Sequence, residues 1–207
     1  MTTVEAISST GYTGPVGREL VTAPTTALLD LAALRQRLRL PFDDEDADLQ
    51  AFLEVAAAQV ESMLGRRLLP QTWRFWYDAV PSGRVIVLPE PVRSVGSVTT
   101  YATDDDVTGA VLASSEYVVD VVRGRLVVDD ATTAWPPASL RDFRAVAIQA
   151  AVGYATAQDV PPMLTQAVQL LVQGLYLRGA EPAAEAGARE RAVAALLAPY
   201  RYRMGVA

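Results

Sequence analysis

Apolar side chains recur at Leu49, Phe52, Leu53, Ala56, Val60, Met63 and Leu64, the three-and-four spacing that lines one face of a helix. Just ahead of them stand Asp43, Asp44, Glu45 and Asp46, where free backbone N–H groups and the positive end of the helix dipole favour carboxylates. Gly65 supplies the stop, with Arg66 and Arg67 at the negative end. The pattern predicts a helix near 43–64. A shorter stripe, Leu28, Leu31, Leu34 and Leu38, predicts another near 28–39, closed by Pro41.

After Pro70 the period changes from that of a helix to that of a strand. Trp73, Phe75 and Tyr77 alternate onto one face of an expected strand over 71–78, and Pro81-Ser82-Gly83 predicts a turn into a returning strand over 84–88. Further strands are expected over 95–101, 117–122, 126–128 and 145–152, with a hairpin turn at Arg123-Gly124 and polar connections at 104–109 and 134–137. Pro161 and Pro162 then open a helix over 161–178, since proline is tolerated in a first turn. Leu164, Ala167, Val168, Leu171, Val172, Leu175 and Tyr176 cover most of its circumference, as in a helix buried on more than one side. The segment 188–197 can form one more.

These elements predict an α+β fold. A helical, bundle-like body over 25–69 and 156–179 carries an inserted antiparallel β domain over 70–155. Residues 1–24, rich in Thr, Ser, Gly and Pro, are expected to be an extended arm, and 180–207 a basic tail.

Composition narrows the chemistry. The 207 residues contain no cysteine and no histidine, which removes disulfides, thiolate metal sites, cysteine nucleophiles and the commonest general base. All 18 basic residues are arginine, and the net charge of −6 opposes broad attraction to nucleic acid. Residues 178–207 run against that balance, with five arginines to three acids. No apolar run is long enough to span a membrane, and no secretory leader is expected.

The candidate clusters are read against that background. Asp43 to Asp46 lack the alternating spacing of a calcium loop and are expected to cap a helix. Asp104, Asp105 and Asp106 could offer paired carboxylates to a hydrolase, but consecutive loop residues rarely hold that geometry. Ser8, Ser9, Ser114 and Ser115 have no histidine or lysine to activate them. No glycine-rich phosphate loop is present. No catalytic, cofactor or metal site is therefore expected, and the protein is not expected to be an enzyme. The aromatic run Trp73 to Tyr77 could stack a base or a sugar, which would make the β domain a carbohydrate- or ligand-binding module; alternating strand positions more often build a core. Trp76 faces away from its neighbours and is the expected interface aromatic. Arg189, Arg191, Tyr200, Arg201, Tyr202 and Arg203 combine the side chains enriched at protein contacts.

The order of motifs resembles a known family. The short helix, the acidic lead into a helix closed by GRRLLPQTW (65–73), LPEPVRSVGSV (88–98), AVGY (151–154) and the last strong helix VPPMLTQAVQLLVQGLYLRG (160–179) are similar to the head-tail connectors, or adaptors, of long-tailed bacteriophages and phage-like gene transfer agents. The match covers about residues 20–179. The resemblance implies a structural virion protein that forms a homo-oligomeric ring, typically of twelve copies, beneath the portal protein of a DNA-filled head. Such a ring offers a surface to a stopper or tail protein, and DNA passes through it without sequence-specific binding. It implies assembly in the host cytoplasm, no membrane and no cofactor. The basic excess of 178–207, which lies beyond the match, makes Arg189 to Arg203 the expected portal contact.

Overall fold

The computed structural model describes residues 15–78, 84–88, 91–129, 135, 137, 139–177 and 182–201. The turn expected at Pro81-Ser82-Gly83, Ala134 and Pro136 of the 134–137 loop, and Tyr202 and Arg203 lie outside them. The element order is β1 (Gly17–Thr22), α1 (Leu31–Leu38), α2 (Asp46–Leu64), β2 (Gln71–Tyr77), β3 (Val85–Val87), β4 (Val92–Thr100), β5 (Ala110–Val111), β6 (Tyr117–Asp120), β7 (Arg125–Val128), β8 (Val146–Val152), α3 (Pro162–Leu177) and α4 (Ala183–Leu197). The fold is α+β with antiparallel strand pairs. Among the described residues two sheets form, one of order β1-β2-β8-β4-β5 and one of order β3-β7-β6.

The chain divides into two compact units. One comprises Leu20–Trp73, Pro89–Ser94 and Ala151–Ala207 and holds all four helices. Asp30 caps α1 by accepting from the Ala32 N–H, and Gly65 ends α2 in the left-handed conformation that glycine adopts without strain. Glu45 occupies the position before α2 but caps no N–H with its side chain. Asp46 and Asp48 stand in the first turn, where they act through the dipole, and Asp46 pairs with Arg35 of α1 at 3.4 Å. The apolar stripes meet in one core of Leu34, Leu53, Ala56, Val60, Leu64, Leu164, Ala167, Val168, Val172, Val193 and Leu197. Each such leucine or valine contributes about 1.5–3 kcal/mol by leaving water. Helix α3 packs on α2 and on α4, which explains why apolar residues cover so much of its circumference.

Three of the quoted motifs come together in this unit. The Gly153 N–H donates to the Pro91 carbonyl at 2.9 Å and the Tyr154 N–H to that of Leu68 at 3.2 Å. Gly153 has φ +92, and a Cβ there would fall on the Leu69 carbonyl. A glycine is needed for both reasons.

The other unit comprises Met1–Glu19, Arg74–Leu88 and Val95–Ala150. Its buried side chains include Phe75, Tyr77, Ile86, Val98, Leu126, Val128, Val146 and Ile148. The expected hairpin at Arg123-Gly124 is present as β6 and β7, with Tyr117 opposite Val128 and Asp120 opposite Arg125. The other expected hairpin is not: β3 pairs with β7, Val85 opposite Val127, while β2 lies in the five-stranded sheet. Alternation defines a strand and its faces but not its partner; the Tyr77 hydroxyl donates to the Val87 carbonyl of β3 at 3.0 Å.

Candidate assembly surfaces

The side chains singled out in the sequence fall into three local settings. On β2, Trp73 is half-buried and stacked under Arg67, whose Cζ lies 4.2 Å from the ring centroid. Phe75 and Tyr77 are buried, so the run does not present an open stacking platform. Trp76 is also half-buried, and three guanidinium carbons lie near its ring: Arg144 at 5.7 Å, Arg74 at 5.9 Å and Arg141 at 6.0 Å. Tyr101 stands beside it with ring centroids 5.7 Å apart. The expected interface aromatic is thus the centre of a cation–aromatic patch that also includes Phe143, over which Arg141 sits at 6.0 Å.

The second setting is the C-terminal helix. Arg189 is half-buried, and its guanidinium lies over Gly174 of α3, where a Cβ would meet it at 2.6 Å. It is a packing residue between α3 and α4. Tyr200 is half-buried, its hydroxyl 4.0 Å from the Met163 sulfur. Arg191 and Arg201 are exposed.

The third is the 102–109 loop. Asp106 is turned into its own loop: Oδ1 accepts from the N–H groups of Gly109 at 2.8 Å and Thr108 at 3.2 Å, and Oδ2 from that of Ala102 at 3.3 Å. These bonds, that of Gly109 first, hold its carboxyl below the usual value. Asp104 and Asp105 point to solvent. No group of three metal-ligating side chains occurs among the described residues. What the three aspartates build is a loop.

Two surfaces escaped the sequence reading. Val85, Val127 and Val118 stand in register on the outer face of the three-stranded sheet, 36%, 37% and 67% exposed. Three β-branched residues in a row on a solvent face suit a contact better than water. Their separation along the chain hides the row until the strands are paired. The other is Phe42, 71% exposed beside the acidic cluster. Among the described residues, no helix is long and apolar enough to cross a membrane.

Among the described residues the chain thus offers an exposed apolar row and a cation–aromatic patch. Comparisons with known structures give the class. One neighbour is a chain of the neck of an empty gene transfer agent particle computed with C6 symmetry, 27% identical, covering 93% of this chain and 99% of that one, with a TM-score of 0.73. Another is a chain of the virion of a native gene transfer agent particle, 25% identical over 92% of this chain and 98% of that one, TM-score 0.72. A third, from the neck of a native particle computed with C12 symmetry, is 24% identical over 93% and 99%, TM-score 0.71, and shares the fold. Comparison with protein-family models and with curated proteins gives no match. These neighbours are neck and virion chains of gene transfer agent particles, consistent with the resemblance to the head-tail connector family.

Proposed function

We propose that this chain is a ring subunit of a particle neck, joining the portal of the head to a stopper or tail protein around a channel for DNA. The observation that carries this is the likeness to the neck chain over 93% of this protein and 99% of that one. The neighbouring necks were computed with C6 and C12 symmetry, and a ring of twelve copies is the assembly we assign here. Identical head-to-tail contacts close when the rotation per subunit divides a full turn. The helices of 20–73 and 151–207 form the ring body, and the strands of the other unit carry surface toward neighbouring components. A net charge of −6 suits a conduit that must not hold the DNA passing through it.

The portal contact is assigned to the C-terminal segment. Arg191 and Arg201 are the exposed cations available to portal carboxylates, and Tyr202 and Arg203 extend the same segment. Tyr200 anchors it near Met163, and Arg189 supports it from within through its place over Gly174. The deciding measurement is the mass of the purified protein alone and mixed with the portal protein of the same particle. A ring, or a complex that forms only with portal, supports the reading. A monomer indifferent to portal removes it. Loss of portal binding on deleting residues 198–207, with the helices intact, is the expected result for the C-terminal contact; unchanged binding overturns that assignment alone.

A further inference from the structure

The loop Arg141 to Arg144 is held more firmly than an exposed loop requires. Arg144 has φ +49; the other described non-glycine residue with positive φ, Arg39, closes a helix, and Arg144 closes none. Such a conformation strains an L-residue and persists only where surrounding bonds impose it. Here they do. The Arg144 N–H donates to Asp78 Oδ1 at 2.7 Å, and its carbonyl accepts from Arg141 Nε at 2.9 Å and Nη2 at 2.7 Å. Arg141 is fixed in turn, donating its N–H to the Tyr101 carbonyl at 3.0 Å while its guanidinium stacks 4.2 Å from the Tyr101 ring. The outcome is an exposed Arg144 lying over Trp76, beside Phe143, which is 56% exposed.

No described carboxylate pairs with the Arg144 guanidinium. Its Cζ lies 5.7 Å from the Trp76 ring centroid, and the planar guanidinium of this exposed side chain carries the paired N–H donors that fit a carboxylate by two parallel hydrogen bonds. With Phe143 alongside, the patch suits an acidic peptide that also carries a large apolar side chain. This chain contains such a segment. Phe42 is 71% exposed, and Asp43 and Asp44 after it are exposed with neither carboxylate bonded to a described residue. The rest of the cluster is engaged: Asp46 pairs with Arg35, and Glu45 accepts from the Tyr176 hydroxyl.

We infer that the Trp76 patch with Phe143 and Arg144 is the docking site for the Phe42–Asp44 segment of a second copy of this chain. Patch and segment are different surfaces, so the contact runs head to tail and repeats around a ring. It rests on the ring reading above and names one of its contacts. Opposite charge selects the partner and its register, and the two exposed phenylalanines supply the apolar area.

The test is an NMR titration of the full-length protein with a synthetic peptide of residues 40–48, following the Trp76 indole N–H and the Arg144 amide. Saturable shifts of both are expected. Arg144→Gly, which relieves the left-handed strain, and Phe143→Ser, which leaves the backbone alone, should each weaken binding roughly tenfold or more while melting within a few degrees of the parent. A peptide with Phe42→Ser, Asp43→Asn and Asp44→Asn should not bind. Absence of shifts at millimolar peptide, equal binding by Arg144→Gly, or a DNA duplex moving the same signals where the peptide does not, overturns the inference. A ring of Arg144→Gly subunits that resists dilution as well as the parent ring also overturns it, while leaving the ring reading intact.

Discussion

Two tryptophans three residues apart on β2 each meet arginine, with opposite results. At Trp73 the charge of the stacked arginine is answered. The indole N–H donates to Gln71 Oε1 at 2.7 Å, and Arg67 stacks on the ring while donating to Glu61 Oε2 at 3.0 Å. Glu61 Oε1 also accepts from the Leu68 N–H at 2.8 Å and from Gln71 Nε2 at 3.1 Å. At Trp76 three guanidiniums gather at 5.7–6.0 Å, and the foremost, Arg144, has no carboxylate among the described residues. The same pair of side-chain types closes a joint in one place and leaves a surface poised in the other. What decides is whether the arginine's charge is answered within the chain.

The largest effects should come from the closed joint. Gly153→Ala keeps a positive φ that alanine resists and drives a methyl into the Leu69 carbonyl just ahead of β2. A loss of about 3–5 kcal/mol is expected from strain and overpacking together, measured by urea unfolding. Next comes Glu61→Ala, which strips the acceptor from Arg67, Gln71 and the Leu68 N–H at once. It should cost about 2–4 kcal/mol, since buried donors left without partners lose more than a hydrogen bond returns. Glu61→Gln keeps one acceptor oxygen and should cost about half as much. If Glu61→Ala proves neutral, the joint is not what holds this end of α2 to β2.

That joint was legible as motif but not as geometry. GRRLLPQTW, LPEPV and AVGY stood out by order, yet only the fold shows Leu68, Pro91 and Gly153 exchanging hydrogen bonds. The long helices were legible because burial on one face writes a 3.6-residue period: α2 and α3 lie within three residues of their expected bounds. Helix α4 begins at Ala183, five residues before the expected start, because Gly187 reads as a breaker while its alanine-rich surroundings outweigh the roughly 1 kcal/mol it costs. Strand β1 is exposed at nearly every position and β5 has two residues, so neither leaves an alternation to detect. The patch was half legible. Trp76 stood out by facing away from Trp73, Phe75 and Tyr77, whereas a left-handed arginine at 144 has no local signal, since the bonds that impose it come from Asp78 and Arg141.

On the poised side, stability should barely respond. Arg144→Gly loses the cation–π contact with Trp76 and gains chain entropy in the unfolded state, but sheds the strain of φ +49. These terms are each near 1 kcal/mol and oppose one another, so unfolding should shift by less than about 1 kcal/mol. A loss comparable with that of Glu61→Ala would erase the distinction between the two tryptophans.

The smallest effect expected is a local one, at the loop that backs the patch. Arg141 Nη1 reaches the Asp106 carbonyl at 3.4 Å, and the Asp106 carboxylate organises residues 102–109 through three backbone N–H groups. These bonds, chiefly that from Gly109, favour the charged form and lower its pKa below the ordinary 3.8, with a minor contribution from the Arg141 charge. For a lowered carboxyl pKa, the stabilisation is fully present above 3.8 and disappears as pH falls through the lower folded value. NMR should show the amides of Ala102, Thr108 and Gly109 moving together with a midpoint below 3.8. Asp106→Asn should abolish that common transition and loosen the Ala102 N–H first, because an amide side chain keeps one acceptor oxygen where the carboxylate has two. A midpoint at or above 3.8 would mean that the aspartate does not organise the loop, and the firm backing of the poised tryptophan would then rest on Arg141 and Asp78 alone.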